Sequence, residues 1–353
     1  MFEDRTKRTE ISELGEFGLI DHLTKSIELS QESSQYGIGD DAAVINPDGK
    51  KVLISTDLLV EGIHFDLTYV PLKHLGYKAV VVNLSDIAAM NALPTQITVS
   101  IALSNRFSLE AVEELYSGIK LACKRYNIDL VGGDTTSSKS GLVISISVIG
   151  LANENDIVYR KGAKAGDILC VSGDLGAAYA GLLVLEREKS EFTANPEMQP
   201  QLDGLDYILE RQLKPEARVD MMQIFKDAGV KPTSMMDISD GLASEIKHLC
   251  KQSDLGCTVY EDKLPIDQQT WDTARSFDMD PTMMALNGGE DYELVYTISQ
   301  DDYEKVKTVK QIIFVGYMTE ASAGINLITK NNVSAPITAQ GWDGLNKDKG
   351  RTS

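Results

Sequence analysis

The order of its helix and strand patterns gives this chain an α+β fold class with two domains. Helical and strand-like segments follow one another without strict β-α-β alternation, which argues against a doubly wound parallel sheet. The chain has 353 residues, enough for two domains of ordinary size. A polar segment at residues 156–166 lies near the middle and is the predicted link. We therefore predict domains at residues 1–155 and 156–345, followed by a tail at residues 346–353.

Periodicity predicts the elements of the first domain. Apolar residues at helical spacing indicate helices over residues 14–29, 71–91 and, after an N-cap at Ser108, up to Tyr126. Apolar runs and alternation indicate strands over residues 97–103, 128–131 and 142–151, the second of which is expected to stop at Gly132-Gly133-Asp134. Residues 37–44 and 52–57 flank a turn rich in Asn, Pro, Asp and Gly, which is typical of a hairpin.

The second domain shows a similar mixture of patterns. Strands are predicted at residues 168–171, 257–260, 292–298 and 312–318, together with a strand that ends at Asp237. Helices are predicted at residues 177–185, 207–212, 217–228 and 240–251 and near Tyr303, with residues 186–200 as a loose surface segment.

The charge balance, the cysteine distribution and the apolar runs exclude several classes of function. There are 34 Lys and Arg against 53 Asp and Glu, a net charge of −19, which disfavours binding to nucleic acid or to anionic membranes. The four cysteines are scattered without a CxxC pair, which is typical of a reducing compartment. The start is charged, and no apolar run reaches the length of a membrane span. We predict a cytoplasmic protein without nucleic-acid or membrane partners.

The predicted hairpin creates an electrostatic problem. One strand begins after Asp40 and Asp41 and the other ends at Asp57, so antiparallel pairing would place all three at one end. Like charges 4 Å apart repel by about 1 kcal/mol in water and about 4 kcal/mol at an effective dielectric constant of 20. A fold that gathers these carboxylates needs a cation.

Five further acidic residues stand at abrupt changes of pattern. Asp86 interrupts an apolar helix, and the others adjoin predicted strand ends: Asp134, Asp237, Asp240 and Glu290. Three of them have a simpler interpretation: Asp134 and Asp240 as turn residues or N-caps, and Glu290 as the partner of a lysine. Asp86 is harder to explain in this way, because a solvated helix face would be less apolar around it. Their number favours a metal site, and a donor set of oxygen atoms favours Mg²⁺ or Mn²⁺ over zinc.

Other candidate residues are less specific. Gly132-Gly133 and Gly288-Gly289 permit close approach of the backbone to a phosphate, but there is no P-loop motif. Arg160 can clamp a phosphate or remain solvated in the link, and His64 is a lone histidine with a structural or a functional role. Trp342 is a stacking platform or an anchor for the chain end. No catalytic triad can be assembled from the four histidines.

Seven motifs in order resemble the thiamine-monophosphate kinase family. They are Gly15-Glu16-Phe17, Gly37-Ile38-Gly39-Asp40-Asp41, Ser55-Thr56-Asp57 with Glu61-Gly62-Ile63-His64-Phe65, Asn83-Leu84-Ser85-Asp86, Gly132-Gly133-Asp134-Thr135-Thr136, Asp237-Ile238-Ser239-Asp240-Gly241 and Gly288-Gly289-Glu290-Asp291-Tyr292-Glu293-Leu294. This family belongs to a wider group with aminoimidazole ribonucleotide synthetase and selenophosphate synthetase. The resemblance extends from about Gly15 to Trp342. Two departures are Gly344-Leu345 in place of the usual His-Phe, and Asn91 in place of Gly.

The resemblance implies an aminoimidazole ribonucleotide synthetase-like architecture, with an N-terminal domain that forms a homodimer through its sheet and a C-terminal α+β domain. It implies Mg²⁺-dependent transfer of the γ-phosphate of ATP to thiamine monophosphate, the final step of thiamine diphosphate biosynthesis, with no general acid or base. Several Mg²⁺ ions would be bound by Asp41, Thr56, Asp57, Asp86, Asp134, Asp237 and Asp240. ATP would contact Ser55, Gly133, Asp134, Arg160 and Ser239, and thiamine monophosphate would contact His64, Glu290 and Trp342.

Two alternatives remain open at this point. One is another ATP-dependent member of the wider group, acting on a different phosphate or amide. The other is a non-catalytic Ca²⁺-binding structural protein, although no twelve-residue calcium loop is present.

Overall fold

A computed structural model describes residue 9, residues 14–38 and residues 42–338 of the chain. The chain divides into two compact units: Met1–Ile87 with Ala92–Asn155, and Ala88–Asn91 with Asp156–Ser353. The predictions made for Asp40, Asp41 and Trp342 lie outside the described residues. Within the described ranges, no helix has both the length and the hydrophobicity needed to cross a membrane.

The first unit is built on a four-stranded sheet. Its helices are α1 (Gly15–Thr24), α2 (Leu72–Ala89) and α3 (Leu109–Tyr126), and its strands are β1 (Ser34–Tyr36), β2 (Val44–Ile45), β3 (Lys51–Val60), β4 (Leu93–Leu103), β5 (Asp129–Ser137) and β6 (Leu142–Ala152). The sheet order is β3-β6-β4-β5, so β3 and β5 are its two edges. The β4–β5 pair is parallel, and the other two pairs are antiparallel.

Helices α2 and α3 approach each other closely at two glycines. A Cβ atom at Gly76 would lie 2.0 Å from the carbonyl oxygen of Leu115, and one at Gly118 would lie 1.8 Å from that of Lys73. Helix α3 also confirms its predicted start, because Ser108 Oγ accepts a hydrogen bond from the backbone N–H of Ala111.

The predicted hairpin between residues 37–44 and 52–57 is wrong. Strand β2 pairs with β1 in a separate two-stranded sheet, whereas β3 pairs with β6 over ten residues. Pairing with β6 gives β3 a longer ladder of hydrogen bonds than the two-residue strand β2 would permit. The apolar side chains of Leu53 and Leu59 on β3 are buried. The turn at residues 46–50 therefore joins two different sheets.

The predicted end of the strand at Gly132 is also wrong, because β5 continues to Ser137. The two glycines extend the strand beside β4, where Gly133 pairs with Val99. A Cβ atom at Gly133 would lie 2.0 Å from the carbonyl oxygen of Val99, so a residue with a side chain would force the strands apart. Gly132-Gly133 thus permits close strand approach, and Asp134 lies within the strand.

The second unit contains a seven-stranded sheet of order β13-β12-β9-β11-β7-β10-β8. The strands are β7 (Ile168–Val171), β8 (Ser234–Asp237), β9 (Leu255–Tyr260), β10 (Leu294–Ile298), β11 (Ile313–Glu320), β12 (Ile325–Ile328) and β13 (Ser334–Pro336). The helices are α4 (Ala177–Ala194), α5 (Asp206–Leu213), α6 (Asp220–Ala228), α7 (Leu242–Ser253), α8 (Gln268–Ser276), α9 (Pro281–Asn287) and α10 (Tyr303–Val306). Sequence patterns missed α8, α9, β12 and β13, and α4 extends into the segment expected to be loose.

Candidate functional site

A pair of carboxylates lies on the helix-facing side of the first unit's sheet. Ser55 and Asp57 alternate with exposed residues along β3 and face α2. The hydroxyl of Ser55 donates a hydrogen bond to Asp86 Oδ2 at 2.5 Å, and the backbone N–H of Asp57 donates to Asn83 Oδ1 at 3.0 Å. Burial raises the pKa of Asp57 to about 6, and the nearby charge of Asp86 adds to this effect. Asp57 and Asp86 are thus brought together, as predicted.

Thr56 occupies the opposite face of β3. Its hydroxyl donates a hydrogen bond to the carbonyl oxygen of Ile146 at 3.0 Å, and it lies 3.1 Å from Ser147 Oγ. Because successive side chains of a strand point to opposite faces, this hydroxyl points away from the Asp57 carboxylate. The predicted role of Thr56 in metal binding can therefore use only its main-chain oxygen.

Asp134 does not lie beside Asp57 in the described chain. The two residues are on the opposite edge strands of the sheet, three strand spacings or about 14 Å apart. Asp134 is exposed, and its Oδ1 accepts a hydrogen bond from the backbone N–H of Thr135 at 2.9 Å. Across the residues that the structure describes, no group of three or more His, Cys, Asp and Glu side chains could hold a metal ion.

His64 and Arg160 are both exposed. The backbone N–H of Val60 donates to His64 Nδ1 at 3.1 Å. The neutral ring therefore carries its proton on Nε2, which leaves a donor for a ligand. Arg160 lies in a segment without helix or strand, and it forms no ion pair with any residue in the described ranges.

In the second unit, two loops pack back to back and bring four predicted site residues together. The first, residues 237–241, contains Asp237, Ser239 and Asp240, and the second, residues 287–293, contains Glu290. The N–H of Glu290 donates to the carbonyl oxygen of Ser239 at 2.7 Å, and Ile238 exchanges backbone hydrogen bonds with the second loop at 2.7 and 2.9 Å. A Cβ atom at Gly289 would lie 2.6 Å from Ser239 O, so this contact requires glycine.

Asp240 is not the N-cap of α7. The cap position is Gly241, at φ +111°, and no side chain caps this helix. The backbone N–H of Asp240 instead donates to Glu245 Oε1 at 3.0 Å. Burial raises the pKa of Asp240, and His248 opposes this shift. The reading of Asp240 as a helix cap is therefore wrong.

Glu245 is not among the site residues predicted from the sequence. It is only 1% exposed, and burial raises the pKa of its carboxyl to about 8, with the charges of Asp240 and Asp237 adding to the shift. Like Asp86, it is a lone carboxylate on an otherwise apolar helix face, and that pattern was the signal available for finding it.

A buried ion network holds the end of the second loop. Glu293 accepts hydrogen bonds from Arg211 at 3.1 Å, from Arg218 at 2.6 Å and from the hydroxyl of Ser172 at 2.6 Å. Burial opposes the charge of both guanidinium groups, but their acidic neighbours outweigh it and raise the pKa of both arginines, with Glu293 the largest raising influence on Arg211 and the hydrogen bond to Asp220 the largest on Arg218, followed by Glu293. This network, also missed from the sequence, fixes the loop that contains Glu290.

The raised pKa of Asp57 predicts how stability depends on pH. In metal-free protein the folded state holds the proton up to about pH 6, whereas the unfolded chain releases it near pH 4. The contribution of Asp57 to stability is therefore present below about pH 4 and lost as pH rises through 6. Since Mg²⁺ binds the deprotonated form, its stabilising effect should grow over the same range.

This prediction is checked by thermal melts from pH 5 to pH 8 with and without Mg²⁺. The rise in melting temperature on adding Mg²⁺ should be larger at pH 7.5 than at pH 5, and Asp57→Asn should reduce the difference. Glu154→Gln, at a side chain 75% exposed, is the control. A rise that is the same at every pH would contradict the assignment.

Two family models match the chain. The AIR synthase related protein N-terminal domain matches residues 39–152, and the corresponding C-terminal domain matches residues 164–313.

Curated relatives and a solved structure give a narrower family. A thiamine-monophosphate kinase of Aquifex aeolicus is 37% identical over 81% of this chain and 87% of its own length, and one of Bacillus subtilis is 32% identical over 94% and 99%. A solved structure described as AaThiL complexed with AMPPCP and TMP is 32% identical with a TM-score of 0.73, covering 96% of this chain and all of that one. These similarities extend over both units, and the chain therefore belongs to the thiamine-monophosphate kinase family of AIR synthase-related proteins.

Proposed function

We propose that this protein transfers the γ-phosphate of ATP to thiamine monophosphate, which yields thiamine diphosphate and ADP. The observation that supports this most strongly is the half-buried Asp57–Asp86 pair, because two neighbouring carboxylates favour a cation beside them. The relative AaThiL was solved with AMPPCP and TMP, an ATP analogue and, in this family, thiamine monophosphate. Relatives named as thiamine-monophosphate kinases cover most of the chain.

The carboxylates fit Mg²⁺. This ion is usually held by one or two carboxylates, with water and substrate phosphates completing six positions, so a pair is sufficient. Asp57 and Asp86 form such a pair, and a cation beside them would offset both the burial that raises the pKa of Asp57 and the repulsion from Asp86 that adds to it. Asp134, Asp237 and Asp240, with Asp41, are proposed for further ions. When bound, Mg²⁺ would offset the negative charge of the two phosphate groups.

The acceptor chemistry explains why no catalytic base is needed. A phosphate monoester has a second pKa of about 6, so at neutral pH the acceptor oxygen is already mostly deprotonated. That oxygen forms a bond to the γ-phosphorus while the bond to the β–γ bridging oxygen breaks, and ADP leaves. The protein's task is to bind and align two polyanions.

The remaining residues have binding roles in this proposal. Ser55, Gly133, Asp134, Arg160 and Ser239 bind ATP, and His64, Glu290 and Trp342 bind thiamine monophosphate. His64 would donate from Nε2, because Nδ1 is occupied by the Val60 N–H. Arg160 is exposed and so can reach a phosphate.

A coupled assay for ADP release tests the reaction. Thiamine monophosphate with Mg²⁺ should support turnover, and omission of Mg²⁺ should abolish it. Turnover with aminoimidazole-pathway substrates instead would identify a different member of the wider group. Calorimetry that detects Ca²⁺ binding but no ATP binding would favour a structural role.

We also propose a homodimer formed through the sheet of the first unit. Both edge strands lack a partner within the four-stranded sheet, and β3 exposes a row of apolar side chains, Val52, Ile54 and Leu58, which are 47%, 71% and 54% exposed. An open edge and an apolar face favour pairing with another chain. In a two-fold dimer, β3 of one copy would pair with β5 of the other, which would bring the strand that contains Asp57 beside the strand that contains Asp134 of the partner subunit.

Mixing two inactive variants tests this arrangement. Asp57→Asn and Asp134→Asn should each be inactive, but if each site combines residues from two copies, half of the sites in a mixed dimer are intact. Co-expression should then restore about a quarter of wild-type activity. If mass spectrometry shows that mixed dimers have formed and no activity is recovered, a site shared between two copies would be excluded. Ile54→Lys should also weaken dimerisation in sedimentation experiments.

A further inference from the structure

We infer that Gln212 is a positioning residue that orients Glu290 toward the phosphate acceptor. The inference rests on the proposed function, which assigns Glu290 to thiamine monophosphate. Gln212 lies on α5, is 6% exposed, and donates from Nε2 to Glu290 Oε2 at 2.8 Å. Nothing in the sequence motifs singles it out, because it lies 78 residues before Glu290.

The main chain of Glu290 is constrained independently of its side chain. Glu290 has φ +66°, in the left-handed region, where residues other than glycine are uncommon. Its N–H is held by Ser239 O at 2.7 Å, and Gly289 packs against the same carbonyl. With the main chain so constrained, the direction of the carboxylate depends on the groups that it meets, and Gln212 supplies a donor to Oε2.

The neighbouring residue on α5 anchors the same loop. Arg211 donates to Glu293 at 3.1 Å and to the carbonyl oxygen of Asp174 at 3.2 Å. Asp291, between the two glutamates, accepts the backbone N–H of Gly176 at 2.7 Å. The end of α5 and the N-cap of α4 therefore hold this loop at three acidic residues, Glu290, Asp291 and Glu293. Gln212 contacts Glu290, the one that has a proposed role in substrate binding.

The type of donor matters for the chemistry. An arginine or lysine at position 212 would place a positive charge against Glu290, whereas an amide orients the carboxylate without adding a positive charge beside it. The thiazolium ring of thiamine carries a permanent positive charge. An oriented carboxylate that keeps its charge suits a cationic phosphate ester, so Gln212 favours acceptors of this class.

Steady-state kinetics of the full-length protein test the inference. Gln212→Ala should raise KM for thiamine monophosphate about tenfold, the loss expected for one hydrogen bond to a charged group, while KM for ATP stays unchanged. Gln212→Glu, nearly the same size, should raise it further because two carboxylates would meet. Glu210→Gln, on the same helix but 66% exposed, is the matched control.

A double-mutant cycle separates positioning from general damage to the fold. If Gln212 acts through Glu290, adding Gln212→Ala to Glu290→Gln should have little further effect on KM. Because Gln212 also packs against Gly181, melting temperatures accompany the kinetics, and Gln212→Glu preserves that packing if the alanine variant is unstable.

The outcomes distinguish two failures. Wild-type protein without activity on thiamine monophosphate overturns the proposed function and this inference with it. An active wild type with unchanged KM in both Gln212 variants, with equal rises in both KM values, or with additive effects in the cycle overturns the inference alone.

Discussion

Asp57→Asn is expected to lower kcat for thiamine monophosphate phosphorylation by about 100- to 1000-fold, the loss typical when one preorganised electrostatic contact is removed. The carboxylate is half of the Asp57–Asp86 pair, and asparagine is a neutral and weaker ligand for Mg²⁺. The backbone hydrogen bond from residue 57 to Asn83 does not depend on the side chain, so the local structure should persist.

The melting temperature of this variant is a second part of the prediction. Removal of one of two like charges should leave the metal-free protein as stable as wild type at neutral pH, or more stable. Glu154→Gln removes an exposed charge from the same unit and should change neither kcat nor stability. Activity of Asp57→Asn within threefold of wild type at ordinary Mg²⁺ concentrations would exclude Asp57 as a ligand.

Glu293→Ala is expected to lower the free energy of unfolding by about 3–5 kcal/mol, the usual cost of removing one partner of a buried ion pair. The Glu293 carboxylate is 5% exposed and serves two guanidinium groups that are 13% and 14% exposed. Its loss leaves Arg211 and Arg218 with less compensation and also removes the acceptor of the Ser172 hydroxyl.

Urea unfolding measures this loss, with Glu304→Ala as the control because Glu304 pairs with Lys307 at a side chain 73% exposed. The control should change stability by less than about 1 kcal/mol. The loss of unfolding free energy for Glu293→Gln should lie between those of Glu293→Ala and the control, since glutamine keeps the shape of the side chain and one hydrogen-bond acceptor. A loss below about 1 kcal/mol for Glu293→Ala would mean that the network contributes little to folding.

Sequence signals that involve neighbouring residues, such as helix caps and apolar periodicity, predicted helix boundaries correctly and singled out one carboxylate. The Ser108 cap placed the start of α3, and the charge of Asp86 within an apolar helix marked a residue that does face another carboxylate. These signals succeed because capping and helical periodicity involve residues within a few positions of one another.

Pairing and burial between distant segments could not be predicted in this way. Strand β3 pairs with β6 and not with β2, its neighbour in sequence. Packing between distant segments outweighs the favourable turn at residues 46–50. Gly132-Gly133 looked like a strand end, yet the glycines permit β5 to lie close to β4. Asp240 looked like a cap, but its N–H is satisfied by Glu245.

The supporting residues of the site were the hardest to find. Gln212 and Arg211 lie in a helix whose pattern carries no functional signal. Their roles follow from contacts with loops that are distant in sequence, in the case of Gln212 by 78 residues. Such contacts become visible only when the fold is known.

In the proposed reaction, the phosphate passes directly from ATP to thiamine monophosphate without a protein nucleophile. The most direct measurement uses ATP that is chiral at the γ-phosphorus and determines the configuration of that phosphorus in thiamine diphosphate. A single in-line transfer inverts it, and inversion is the predicted result. Retention would require two successive transfers through a phosphorylated enzyme and would contradict the account.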